Sequence, residues 1–230
     1  MSTNLLSTNR SKPYKGMAME GTIAKWYAKN TGRASEQKHL LERIKPSLPV
    51  SGSILEVAPG PGFLSIEFAR LGRYKVTALE ISKTFIKIAQ DNARKAGVDI
   101  DFRHGNASDM PFKDNTFDFM ICVAAFKNFS QPVEAIREMH RVLKPGAKAC
   151  IMDLRRDASF ENINDHIKNE LHLTGFNAFF TKWVFKTTLL KNAYTKTEIE
   201  NLVTQTDFAR SRIDEDALGM DIWLEKEKGK

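Results

Sequence analysis

The chain has 230 residues, 42% apolar and 27% charged, enough for one well-buried domain and short for two. Thirteen glycines, eight prolines and two cysteines exclude collagen-like, low-complexity and disulfide-framed proteins. The net charge of +7 arises from 35 basic and 28 acidic residues interleaved in stretches such as ERIK and EKEK, which describes a solvated surface with a basic excess better than a nucleic-acid footprint.

Residues 1 to about 16, MSTNLLSTNRSKPYKG, carry no apolar core before a cleavage site, so they read as a polar tail that orders on docking and not as a secretory signal. The longest apolar run, Phe119–Phe126, has eight residues, against roughly 20 for a membrane helix. Cys122 and Cys150 each sit in an apolar stretch, which fits buried thiols in a reducing, cytoplasmic setting better than a disulfide or a metal site.

From residue 18 to 45 the apolar positions follow helical spacing, broken at Asn30-Thr31-Gly32 and ended by Pro46 and Pro49. Ser35 is a candidate helix N-cap. Short apolar runs then alternate with helical segments. SILEV (53–57) leads to the turn Ala58-Pro59-Gly60-Pro61-Gly62 and a helix Phe63–Leu71 stopped by Gly72. KVTALEI (75–81) leads to a helix from Ser82 to Lys95 stopped by Gly97. IDFRHGNA (100–107), TFDFMICVAAF (116–126), a helix Val133–Leu143, the turn Lys144-Pro145-Gly146 and AKACIMDL (147–154) complete the series. Such alternation predicts an α/β fold: a Rossmann-like, doubly wound, mostly parallel sheet with helices on both faces. Beyond Arg155 an aromatic helical insertion (156–195) contains Phe176, Phe179, Phe180, Trp183 and Phe185. TEIENLVTQT (197–206), capped by Thr195 or Thr197, and an antiparallel hairpin RSRIDED/MDIWLEK close the chain. The expected organisation is one domain over 1–230: a helical cover (1–45), a core (50–155), the insertion or lid (156–195), and the final helix with hairpin (196–230).

The glycine turn is the sharpest local feature. It lies at the carboxyl end of the first strand, where open α/β sheets bind ligands, and glycine lets the backbone approach a ligand closely. Glu80 ends the next strand, 18 residues beyond Gly62, where a carboxylate either accepts from both hydroxyls of a ribose or stands exposed at the strand end. A dinucleotide fingerprint needs a third glycine where this chain has Ser65, and Glu56 places a carboxylate beside the turn. That suits an amino group better than a phosphate, so the turn is expected to serve a nucleoside without phosphates.

In ILEVAPGPG (54–62), VTALEIS (76–82), GNASDMPFKDNTFD (105–118) and REMHRVLKPGA (137–147), the chain resembles the class I S-adenosylmethionine-dependent methyltransferases, in their small-molecule, ubiquinone/menaquinone-methyltransferase-like branch. The resemblance covers residues 50–155 and implies S-adenosylmethionine as cofactor, with S-adenosylhomocysteine as product. It implies Glu56 at the methionine end, and Ala58, Gly60 and Gly62 as the backbone surface beneath that moiety. It also implies Glu80 on the ribose, Ile81 on adenine, Asn106 and Ala107 at the adenine edge, Met110 on its other face, and Val123 near the sulfonium. Ala58-Pro59 replaces a usual glycine, which predicts a stiffer or shifted turn. AFKNF (125–129) stands where many relatives carry histidine, so no catalytic base is carried over. The N-terminal signature of quinone-biosynthesis enzymes is absent.

Methyl transfer from a sulfonium is an in-line displacement with an already activated donor, so positioning and water exclusion dominate and no metal is implied. Tyr27, Lys127 and Asn128 are the candidate catalytic residues; Lys127 either orients an anionic acceptor or lies on the surface. His104 and His140 read as structural. The expected partner is a small-molecule acceptor, without nucleic acid or a membrane span, and the oligomeric state is left open. The alternatives are methylation of RNA or protein, and a cofactor-binding protein of this fold that does not transfer methyl groups.

Overall fold

The computed structural model describes residues 14–15, 19–30, 34–165 and 190–229. Two helices, α1 (Gly21–Asn30) and α2 (Ala34–Ile44), precede the sheet. Then β1 (Gly52–Val57), α3 (Phe63–Arg70), β2 (Tyr74–Glu80), α4 (Lys83–Ala96), β3 (Asp101–His104), β4 (Phe117–Val123), α5 (Pro132–Val142) and β5 (Leu143–Leu154) follow in alternation. Short helical turns at Lys45–Ser47, Phe126–Asn128 and Leu190–Asn192, a helix Phe160–Asp165, the final helix Lys196–Val203, and the hairpin β6 (Arg210–Glu215) and β7 (Gly219–Glu225) complete the described elements.

The strand order is β3-β2-β1-β4-β5-β7-β6. The first five strands pair in parallel, and β7 inserts antiparallel between β5 and β6. The order reverses between β1 and β4, so the crevice outside their carboxyl ends is the switch point where such sheets bind ligands.

Strand alternation divides the core into two layers. Leu55, Val57, Met120, Cys122, Ala149 and Ile151 face α5 and the final helix, through Ile136, Met139, Ile199 and Val203. Ile54, Phe119, Ile121, Cys150 and Met152 face α2 and α3, through Leu41, Ile44, Leu64 and Phe68. Both cysteines are free and buried.

Local chemistry sets the boundaries. Ser82 caps α4 by accepting from the Phe85 amide (3.0 Å), and Gly97 ends it in the left-handed region at φ 67°. Thr195 and Glu198 form a reciprocal capping box on the final helix, which settles the choice between Thr195 and Thr197. The expected turn Lys144-Pro145-Gly146 is a correction. The strand begins at Leu143, which pairs with Phe117, and the register shifts between Phe117 and Phe119 to absorb the extra residues. The expected Ser35 cap, residues 1–13 of the tail, and the aromatic stretch Phe176–Phe185 lie outside the described residues or side chains. No helix among the described residues is long and apolar enough to cross a membrane.

Candidate functional site

Three loops meet at the carboxyl ends of β1, β2 and β3, tied together by one residue. Glu80, 4% exposed, accepts from the Gly60 amide (3.0 Å) with one oxygen and from the Ser82 amide (2.8 Å) with the other. Its backbone carbonyl accepts from Gly105 (3.0 Å), which draws the loop after β3 to the same point. Glu80 is therefore a buried, positioned group and not an exposed strand end. Burial raises its pKa, against the amide hydrogen bonds that lower it.

The two glycines of the turn do different work. Gly60 has φ 54°, and a Cβ there would meet nothing within 4 Å, so the backbone lies open to an incoming group. At Gly62, φ 79°, a Cβ would lie 2.9 Å from the Ala89 side chain and 3.3 Å from Phe102, so that glycine serves the close packing of α4. Ala58 departs from β1 at φ 57°, a left-handed conformation that costs an L-residue about 1–2 kcal/mol. Its amide still reaches the Leu79 carbonyl (2.8 Å), so the turn is strained in place and not shifted. Ala124, at the end of β4, has φ 56° and a matching bond to Met152 (2.7 Å). Replacing Ala58 by glycine should remove this strain and return part of the gain as unfolded-state entropy, for a net stabilisation of up to about 1 kcal/mol. A higher urea midpoint at unchanged slope is the expected result; a lower midpoint would show that the conformation is unstrained.

Glu56 is also buried, at 4% exposure. Its carboxylate accepts from both the hydroxyl and the amide of Ser65 in the first turn of α3. Desolvation raises its pKa to about 7 despite those bonds, with the Glu80 charge adding to the rise. Ser65 escaped sequence reading as a functional side chain; its signal was the position itself, where a dinucleotide fingerprint has glycine.

The start of α4 holds a third carboxylate. Glu20 accepts from the amides of Lys83 (2.9 Å) and Thr84 (3.1 Å) and from the Thr84 hydroxyl. Those contacts hold its pKa down, with the Thr84 hydroxyl the main cause. Tyr27 packs edge-on against Phe85 of α4 at 5.8 Å, so α1 is fixed to the rim of the crevice by this ring pair and by Glu20.

Ile81 is half-buried directly after Glu80. Asn106 is half-buried and accepts from the Ser108 amide (3.1 Å) through its side chain. Ala107 and Met110 are 8% and 3% exposed and belong to the core layer facing α5. The Met110 backbone is clamped from α5: its amide donates to Glu138 (2.7 Å) and its carbonyl accepts from Arg141 (3.0 Å), which also reaches Phe112 and Asp114. Val123 is half-buried at the end of β4.

The segment after β4 departs most from expectation. Lys127 is neither surface nor free to orient an anionic acceptor. Its ammonium donates to Asp153 (2.7 Å) and to the Ala124 carbonyl (2.6 Å), its amide donates to the second Asp153 oxygen (2.8 Å), and both side chains are nearly inaccessible. Asn128 accepts from the Lys15 amide (2.6 Å), and Tyr14 bridges to Phe129, so the N-terminal segment also touches this edge. Ser130 has a buried hydroxyl without a partner, the only such side-chain atom among the described residues. His104 is exposed and lies 3.1 Å from the Ile81 carbonyl, and His140 packs against Phe208, so both stand in structural settings.

Comparison with known proteins gives the same segment. Residues 55–151 match the family described as Methyltransferase domain. The ubiquinone/menaquinone biosynthesis C-methyltransferase UbiE of Escherichia fergusonii is 31% identical over 108 residues, which are 45% of this chain and 43% of that protein. The Escherichia coli K12 protein of the same name is 32% identical over the same shares. The chain thus spans less than half the length of these curated relatives. Among solved structures, an S-adenosylmethionine-dependent methyltransferase from Methanococcus maripaludis, described as putative by its authors, superposes with TM-score 0.70 at 18% identity. It covers 94% of this chain and 97% of its own. The [4+2]-cyclase SpnF superposes with TM-score 0.55 at 19% identity, covering 85% of this chain and 81% of its own. Likeness at that identity speaks to the fold alone. Through residues 55–151, the chain is similar to the methyltransferase domain family and to these S-adenosylmethionine-dependent enzymes.

Proposed function

We propose that this protein transfers the methyl group of S-adenosylmethionine to a small-molecule acceptor by in-line displacement. The observation that carries the reading is Glu80: a buried carboxylate at the end of β2, held by the Gly60 and Ser82 amides beside open space over Gly60. The chain's groups fit the cofactor. Glu80 keeps lone pairs for two ribose hydroxyls, and Gly60 leaves room for the methionine end. Glu56 offers carboxyl oxygens near that end, and Ile81, Asn106 and Ala107 border the adenine side. When bound, the cofactor supplies a methyl group already activated on a sulfonium. The chain's part is to orient the two reactants and exclude water, worth roughly 7–11 kcal/mol in favourable cases. Tyr27 and Asn128 remain the candidates for touching the acceptor, with Ser130 added for its unpartnered hydroxyl.

The charge distribution favours a small acceptor over a polyanion. Among the described residues, Arg70, Arg94, Arg103, Arg137, Arg141 and Arg155 each pair with a nearby carboxylate, so part of the positive excess is neutralised locally. The relatives' names point to a quinone precursor. The match covers less than half of this chain, and the N-terminal signature is missing, so the proposal stops at a small molecule.

Thermal unfolding with S-adenosylmethionine tests the reading. Ligand at about 100 times its Kd adds roughly 2.7 kcal/mol, which for a domain of this size raises Tm by about 5–11 °C. Glu80→Ala should weaken binding about 100-fold by removing the ribose contacts, leaving a shift of about one degree from its own ligand-free Tm. A full shift in the variant would remove Glu80 from the cofactor site. A shift with NAD alone would overturn the cofactor assignment.

A further inference from the structure

The sheet ends in a strand whose outer side is unpaired and whose sequence is complementary to itself. β6 is the terminal strand, five of its six residues are exposed, and among the described residues nothing pairs with its outer edge. Along RSRIDED the charge runs from basic to acidic: Arg210 and Arg212 before Ile213, Asp214, Glu215 and Asp216 after it. We propose that this edge is the homodimer interface, where β6 pairs antiparallel with β6 of a second copy about a two-fold axis through Ile213.

Ladder parity fixes which groups are free. The Asp216 amide donates to Gly219 of β7 (3.0 Å), and Arg212 and Asp214 stand opposite Trp223 and Asp221 in the same ladder. In an antiparallel pair, alternate residues bond to one side, so Ser211, Ile213 and Glu215 direct their amides and carbonyls to the open edge. Centred on Ile213, the two copies pair 213 with 213 and 211 with 215, which satisfies those groups. The same register sets Arg212 opposite Asp214 of the second copy, and Arg210 opposite Asp216. Shifting the centre by one residue to 212 or 214 places two like charges on the axis, which is unfavourable in directly opposed positions. On the other face of the strand, Ile213, half-buried against the core layer, meets its own copy.

Within one chain Arg212 already pairs with Asp214 (3.0 Å), and Glu215 pairs with Arg155 (3.0 Å). One Asp216 oxygen accepts from the hairpin amides of Leu218 and Gly219. The dimer therefore redistributes charges that are exposed and partnered in the monomer, which makes it weak, salt-sensitive and micromolar in scale. Charged edge strands also serve to block association, and that is the outcome which opposes this proposal.

Sedimentation equilibrium of the full chain across the micromolar range, at low and high salt, separates the two. The expected result is a dimer that weakens as salt rises. Arg212→Asp alone and Asp214→Arg alone should each weaken it about tenfold or more, because both symmetric contacts become repulsive. The double variant R212D/D214R should recover the dimer, since the opposed charges are exchanged together. These positions are exposed, so the variants should keep the wild-type circular dichroism spectrum, which separates loss of the dimer from loss of the fold. A monomer at every concentration overturns the proposal, as does a dimer indifferent to the single reversals or a double variant that fails to recover.

Discussion

Lys127→Met is expected to lower the unfolding free energy by about 3–5 kcal/mol, as removal of one partner from a buried ion pair does. The Lys127 and Asp153 side chains are 4% and 5% exposed, so water cannot solvate the carboxylate once the ammonium is gone. The Ala124 carbonyl loses its donor as well. A urea titration at neutral pH measures the loss. Exchanging both partners, Lys127→Met with Asp153→Asn, should restore much of it, because the lone charge is then absent. A loss under about 1 kcal/mol, the value of an exposed pair, would show that solvent reaches the site.

Glu56→Gln is expected to act in the opposite direction, and only above acidic pH. Below about pH 4.5 the Glu56 carboxyl is protonated in the folded and unfolded chains alike. Between there and pH 7 the unfolded chain ionises while the folded one keeps its proton, so stability falls with each step of pH. By pH 8 the difference amounts to roughly 3 kcal/mol, from a folded pKa near 7 against 4.5. The glutamine amide cannot ionise, and its carbonyl still accepts from Ser65. The variant should therefore be as stable as the wild type at pH 4.5, more stable at pH 8, and weaker in binding S-adenosylmethionine. Parallel stability profiles for the two proteins would refute the assignment of the raised pKa to Glu56. A carboxylate kept at a net stability cost is a mark of a binding group.

The parallel sheet was legible in the sequence because each element carries its own punctuation. Gly62, Ser82, Gly97 and Thr195 stand at helix ends, where only a few residue types satisfy the local geometry. The strand start at Leu143 was not legible, since Lys-Pro-Gly announces a turn and only pairing with β4 draws it into the ladder. Glu80 was readable from its distance to the glycine turn; its burial was not. Lys127 was misread because nothing local distinguishes a buried lysine from a solvated one. Its partner Asp153 lies 26 residues away, at the end of the neighbouring strand. The pairing of the DMPFKD and REMHRVL blocks has a physical reason visible only in three dimensions. Glu138 and Arg141, one helical turn apart, hold both backbone groups of Met110. The identity of the acceptor had no comparable signal, because loop side chains answer to a ligand and not to the backbone.

The carboxylates at the mouths of α3 and α4 have a consequence for what the crevice will reject. A helix start ordinarily offers bare amides and a partial positive charge, which is why phosphates settle there. Here Glu56 takes the Ser65 amide, Glu80 takes Ser82, and Glu20 takes Lys83 and Thr84, while the Ser82 hydroxyl takes Phe85. The protein supplies its own carboxyl oxygens to both helices, and the lowered pKa of Glu20 keeps a full negative charge at the mouth of α4. A ligand bearing a pyrophosphate, or a phosphate on its ribose, would meet occupied donors and facing negative charge, whereas a cationic nucleoside meets none of that repulsion. Discrimination between two adenosine-containing cofactors is thus set before any side chain touches the adenine.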